Sequence, residues 1–154
     1  MYATLLTFHS LFRWFVLIIL IMAIARGYHG WLGNKNYYRS DNILRLATAG
    51  AAHLQLLIGL VLYLHSPVAQ YFLNNFKTAI HQREFRFFGM EHCTMMIVAV
   101  VIITIGSVKV KRRQTGRDKF KAMAIWYTIS LLLIISSIPW QFSPLVHRPY
   151  FRSF

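Results

Sequence analysis

Four apolar runs, Leu5–Ala25, Ile43–Leu64, Phe87–Val108 and Ala122–Trp140, constrain this chain more than anything else in it. Each is close to the roughly 20 residues that a helix needs to cross the hydrocarbon core of a bilayer. Helices in soluble cores are usually shorter and keep a polar stripe, which VAVVIITIG and ISLLLIISSI lack. The expected fold is an all-α integral membrane protein: an antiparallel four-helix transmembrane bundle forming one domain over residues 1–154. Composition agrees. With 56% hydrophobic and 14% charged residues, the chain has too few polar groups to coat a soluble domain, and it is too apolar for a disordered one.

The net charge of +13 would suggest nucleic-acid binding in a soluble chain. Here its distribution reads as topology. Eleven of the seventeen basic residues fall on one side of the predicted membrane: Arg26, Lys35, Arg39, Arg45 and the seven of KVKRRQTGRDKFK. Five fall on the other side, and Arg13 lies inside the first span. The positive-inside rule places the basic connections in the cytoplasm of a bacterial inner-membrane protein, with both termini outside. Anionic lipid headgroups, not nucleic acid, are the expected surroundings of the basic loop. The apolar start lacks a basic n-region and a cleavage site, so the first span reads as an uncleaved anchor. Cys93 is the single cysteine, which excludes an internal disulfide.

Between the second and third spans, Ala69, Phe72, Leu73, Phe76 and Ile80 recur at helical spacing opposite Gln70, Asn74, Asn75, Lys77 and Gln82. An amphipathic helix over about 68–82, lying in the outer interface, is expected. The tail WQFSPLVHRPYFRSF, aromatic and punctuated by proline, is expected to stay at the interface.

Ionisable groups inside a bilayer are costly, and they point to function. Here they are His9, Arg13, His53, Glu91 and His92. At 1.5 Å rise per residue, His9 and Arg13 lie about 6 and 12 Å below the outer start of the first span, and Glu91 and His92 about 6 and 8 Å into the third. His53 falls near mid-membrane. Arg13 stays charged, and Glu91, the one acid within a span, is its expected partner in a structural ion pair. Arg13 also suits a haem propionate or a quinone oxygen. His9 and His92 stand at similar depth on helices that an up-down bundle places diagonally. That arrangement suits the two axial ligands of haem b, with His53 the substitute. Met90, Cys93, Met95 and Met96, with the neighbouring histidines, form an alternative set of soft ligands for copper. Gly-rich phosphate loops, CxxC pairs and paired carboxylates are all missing, which removes the usual hydrolytic and nucleotide-binding classes.

The segments TLLTFHSLFRW, AAHLQLLIGLVLYL and RFFGMEHCTMM resemble small four-span membrane proteins of cytochrome b-like type. The chain is also similar, distantly, to the haem-dependent bacterial protoporphyrinogen oxidase family. There a first-helix histidine and a third-helix lysine serve the haem. His9 matches that histidine, and His92 stands near the place of the lysine. The resemblance implies a b-type haem protein that carries single electrons to or from a quinone or partner protein, as an electron-transfer subunit more than a stand-alone enzyme. The alternatives are a non-catalytic accessory or assembly subunit of a larger membrane complex, with no cofactor, and a copper-binding membrane protein.

The charge asymmetry has a direct test. In a Cys93→Ala background, a membrane-impermeant maleimide is expected to label Asn75→Cys in intact spheroplasts, and Gln114→Cys only after permeabilisation. The reverse pattern would invert the topology.

Overall fold

The computed structural model describes residues 2–140. The aromatic tail, with His147, Arg148 and Arg152, lies outside the described residues. Among the described residues the elements are α1 (Tyr2–Leu32), α2 (Arg39–His65), the short α3 (Pro67–Asn74) and α4 (Phe76–Ala79), α5 (Arg83–Arg112) and α6 (Gly116–Ser136). Four of these, α1, α2, α5 and α6, are long and apolar enough to cross a membrane. The chain is an all-α four-helix bundle, as its apolar runs require.

The helices overrun the apolar runs because their ends carry their own stop signals. α1 continues to Leu32 and closes in a Schellman turn. Asn34 takes a left-handed φ of 49°, and the Lys35 N–H reaches back to the Gly30 carbonyl at 2.9 Å. At the start of α6 the Thr115 hydroxyl accepts from the Asp118 N–H at 3.1 Å, a standard N-cap. α6 ends at Ser136, short of the expected Trp140, because Pro139 has no N–H and restricts the residue before it. The single interfacial helix expected over 68–82 is divided at Asn75 (φ −127°, ψ 39°), whose amide nitrogen donates to the Tyr71 carbonyl at 3.2 Å. Asparagine competes in this way with helical continuation.

In the bundle α1 packs between α2 and α6, and α5 packs between the same two helices, so α1 and α5 are diagonal. The core runs through Leu20, Ile103, Phe120, Met123 and Tyr127, while Leu11, Phe15, Ile18, Leu57 and Leu132 stay exposed on the outer faces, where lipid tails would lie. Small residues let α1 approach α6. A Cβ on Gly27 would fall 2.9 Å from the Ala124 nitrogen, and one on Gly30 would enter the Phe120 ring.

The basic end is closed by a polar network. Asp41, 3% exposed, binds Arg26 Nε at 2.6 Å and accepts the Tyr38 N–H at 2.9 Å, tying α1 to α2. Arg45, counted from sequence as a topology charge at a helix mouth, is instead 5% exposed. Its guanidinium donates to Asn42 Oδ1, the Ser107 carbonyl at 3.0 Å and the Ser107 hydroxyl, and Tyr127 returns a bond to the Arg45 carbonyl at 3.1 Å. A buried cation persists here because several oxygens surround it. On the same side the ammonium groups of Lys109, Lys119 and Lys121 lie over Trp126, Tyr37 and Trp31 at 5.2–5.4 Å.

Leucine in place of Gly27 is expected to lower stability by about 1–3 kcal/mol through overpacking against α6. Leucine in place of Gly50, where a Cβ would meet nothing within 4 Å, serves as the neutral control. Thermal denaturation of both variants in detergent measures the difference.

Candidate functional site

The polar residues singled out from sequence meet at the opposite end of the bundle. A cavity of about 220 Å³ opens between the halves of the helices remote from the basic end. His9, Ser10 and Arg13 reach it from α1, Gln55, Gly59 and Tyr63 from α2, and Phe88, His92, Cys93 and Met96 from α5. Most of the remaining wall is apolar, with Leu6, Leu56, Leu60 and Ile134 prominent, and Val68 and Ala69 of α3 close part of the mouth. Helical spacing explains the α1 set, because His9 and Arg13 are four residues apart and share a face.

His92 is fixed by a hydrogen bond between its Nδ1 and the Ser137 carbonyl at 2.8 Å. A carbonyl oxygen only accepts, so the proton sits on Nδ1, and in the neutral ring Nε2 keeps a lone pair. Metal-bound histidines are commonly prepared in this way, with the second ring nitrogen donating to a backbone carbonyl. The rings of Phe87 and Phe88 stand 5.7 and 6.5 Å from the imidazole and limit its rotation.

His9 is packed by α2. A Cβ on Gly59 would lie 3.0 Å from its Cε1, so glycine is what admits the ring. One turn earlier on α2, Gln55 Nε2 donates to the His9 carbonyl at 2.9 Å. Two buried atoms on this wall, His9 Nδ1 and Gln55 Oε1, have no hydrogen-bond partner among the described residues. Buried polar atoms are normally satisfied, so this pair marks the place where a bound group would make contacts.

The other candidates are placed differently. His53 turns away from the cavity: it is exposed, its Nδ1 bonds to the Ala49 carbonyl at 2.7 Å and its Nε2 lies 3.2 Å from Thr104 Oγ1. Gln55, two residues on and therefore on the other face of α2, takes the inward position. Glu91 is not the partner of Arg13 that its depth suggested, because Arg86 Nε holds it at 2.6 Å. The cause is local. Residues Phe87–Glu91 form a π turn, whose i→i+5 pattern stacks position 91 over position 86. Of the soft set, Cys93 and Met96 line the cavity, but Met90 is 38% exposed and Met95 is off the cavity wall, so the four do not converge on one ion. Among the described residues no cluster of three or more His, Cys, Asp or Glu side chains is arranged for a metal.

Sequence reasoning passed over Gly59 and Tyr63, and read Ser137 only as a hydrogen-bonding side chain. Gly59 and Tyr63 sit four residues apart after Gln55, a helical spacing that could have marked them as one inward stripe. Ser137 acts through its carbonyl, which no side-chain pattern reveals.

The comparisons add nothing to this picture. No family model matches the chain, and no curated protein or solved structure is significantly similar to it.

Replacing Gln55 with leucine removes the tie to α1. In denaturation of the purified protein the expected loss is about 0.6 kcal/mol, the average for one interhelical hydrogen bond in a membrane protein, and at most about 1.7 kcal/mol.

Proposed function

We propose that the chain is a small b-type cytochrome of the bacterial inner membrane, carrying single electrons between a quinone or partner protein and a haem held in the outer cavity. The observation that carries this reading is the pair His9 and His92, which face one cavity from diagonal helices, with His92 Nδ1–H already committed to a backbone carbonyl. The donor set fits the group. Two imidazoles reach one cavity from diagonal helices, and most of the remaining wall is apolar. His9 and His92 would hold the iron, and Arg13 would neutralise a propionate. Bound haem supplies a one-electron couple. The residues supply orientation and exclusion of water: Ser137 sets the His92 tautomer, Gly59 gives room for the His9 ring, and Phe87 and Phe88 restrain His92.

A second reading is favoured by two observations. The cavity volume of about 220 Å³ is below that of sites for drug-sized ligands, about 300–1,000 Å³, and so suits a single ring. Gln55 Oε1 is also a buried acceptor awaiting a donor, which a hydroquinone hydroxyl would supply. On this reading the cavity would hold the quinone itself, with Gln55 Oε1 accepting from the hydroquinone hydroxyl and His9 on the same wall.

A reduced-minus-oxidised spectrum of the detergent-purified protein separates the two. The cytochrome reading expects a sharp α-band, lost in His9→Ala and in His92→Ala and kept in His53→Ala. Absence of bound haem after expression with ample haem supply would sink it. The quinone reading then expects quinone in an organic extract of the purified protein, and its loss in Gln55→Leu.

A further inference from the structure

The π turn that separates Glu91 from Arg13 lies directly before His92. An additional residue advances an α-helix by about 100°, so inserting or removing one changes which side chain meets the bundle interior. The turn absorbs one such residue: its i→i+5 bond runs from the His92 N–H to the Phe87 carbonyl. Phe88 near its start and His92 directly after it both line the cavity. π turns are rare and less stable than α-helix, so something must hold this one. Arg86–Glu91 spans it from within α5 at 2.6 Å. From outside come two contacts on one residue. Phe72 of α3 packs so closely on Gly89 that a Cβ there would lie 2.3 Å from the ring. The Tyr63 hydroxyl of α2 donates to the Gly89 carbonyl at 2.7 Å. The Phe72 contact is apolar and places no hydrogen-bond direction on the backbone. The Tyr63 bond is directional and fixes the carbonyl of the middle residue of the turn.

We infer that Tyr63 is a positioning residue for His92: by holding the Gly89 carbonyl it keeps the π turn in register, and the register keeps the His92 ring in the cavity with Nδ1–H on Ser137. This rests on the reading of His92 as a group that serves the cavity's ligand, and it holds for either ligand above. It assigns to one phenol hydroxyl on α2 a property of a ring on α5.

The test compares full-length proteins labelled with ¹⁵N-histidine in detergent, with the His92 ring signals identified by their absence from His92→Gln. Wild type and Tyr71→Phe, a control outside the cavity, are expected to show a protected Nδ1–H. Tyr63→Phe is expected to exchange that proton at least about tenfold faster, as the loss of a hydrogen bond implies. A second variant supplies the rescue. Deleting Met90, an exposed residue of the turn, removes the extra residue and shortens Arg86–Glu91 to the ordinary i,i+4 spacing. In that background Tyr63 is no longer needed, so Tyr63→Phe with Met90 deleted is expected to regain the protected proton and any spectrum of the bound ligand. Wild-type protection in Tyr63→Phe would overturn the inference. So would failure of the double variant to recover, which would mean that Tyr63 acts by touching the ligand or by general packing. If the wild-type protein carries neither haem nor quinone, the proposed function fails while the comparison of ring protons still decides this point.

Discussion

Hydrocarbon solvates no hydrogen-bonding group, and that one constraint arranges nearly everything polar in this bundle. A soluble protein can leave a guanidinium or an imidazole at its surface to find water. Within the spans each such group must be bonded by the protein or must face a cavity. Arg45 takes the first solution, with the oxygens of Asn42 and Ser107 around it, and so does Thr48, whose hydroxyl donates to the Leu44 carbonyl at 2.8 Å. His9, Arg13, Gln55 and His92 face one cavity, and Gln55 and His92 also keep bonds to the carbonyls of His9 and Ser137. The bundle is therefore asymmetric along its axis: sealed by paired polar groups at the basic end and hollow at the other.

Much of this was legible in the residues, for reasons that can be named. Span lengths are set by bilayer thickness, so the four runs gave four helices. Up-down connectivity places the first and third spans diagonally, and helical rise gave His9 and His92 similar depths, so their common level in the bundle was legible. What sequence could not supply was rotation. An 18-residue apolar run without a polar stripe has no preferred inward face, and the choice between His53 and Gln55 was fixed only by packing against α1. The pairing of Arg13 with Glu91 failed for a related reason. Depth was estimated on ideal α-helix, and nothing in FFGME signals the additional residue in the turn. Arg45 was read as an orientation charge because the pattern of basic residues cannot distinguish a cation in the interface from one drawn inward by a serine on another helix.

The extra residue in α5 illustrates how such local irregularity can be useful. Most of the membrane part of the helix obeys the ordinary ladder, from His92 to Arg112. The departure falls at the one turn where two neighbours, α2 and α3, press on the same glycine. Phe88 and His92, at the two ends of that departure, both line the cavity.

Pro139 has a comparable reach. Because it stops α6 at Ser136, the carbonyls of the last turn have no donors from a continuing helix. The Ser137 carbonyl is one of those left over, and the imidazole of His92 uses it. A ring that forbids a backbone proton on one helix thereby decides which nitrogen carries a proton on another. The tautomer of His92 is in this sense encoded 47 positions downstream, in the way a neighbouring helix ends.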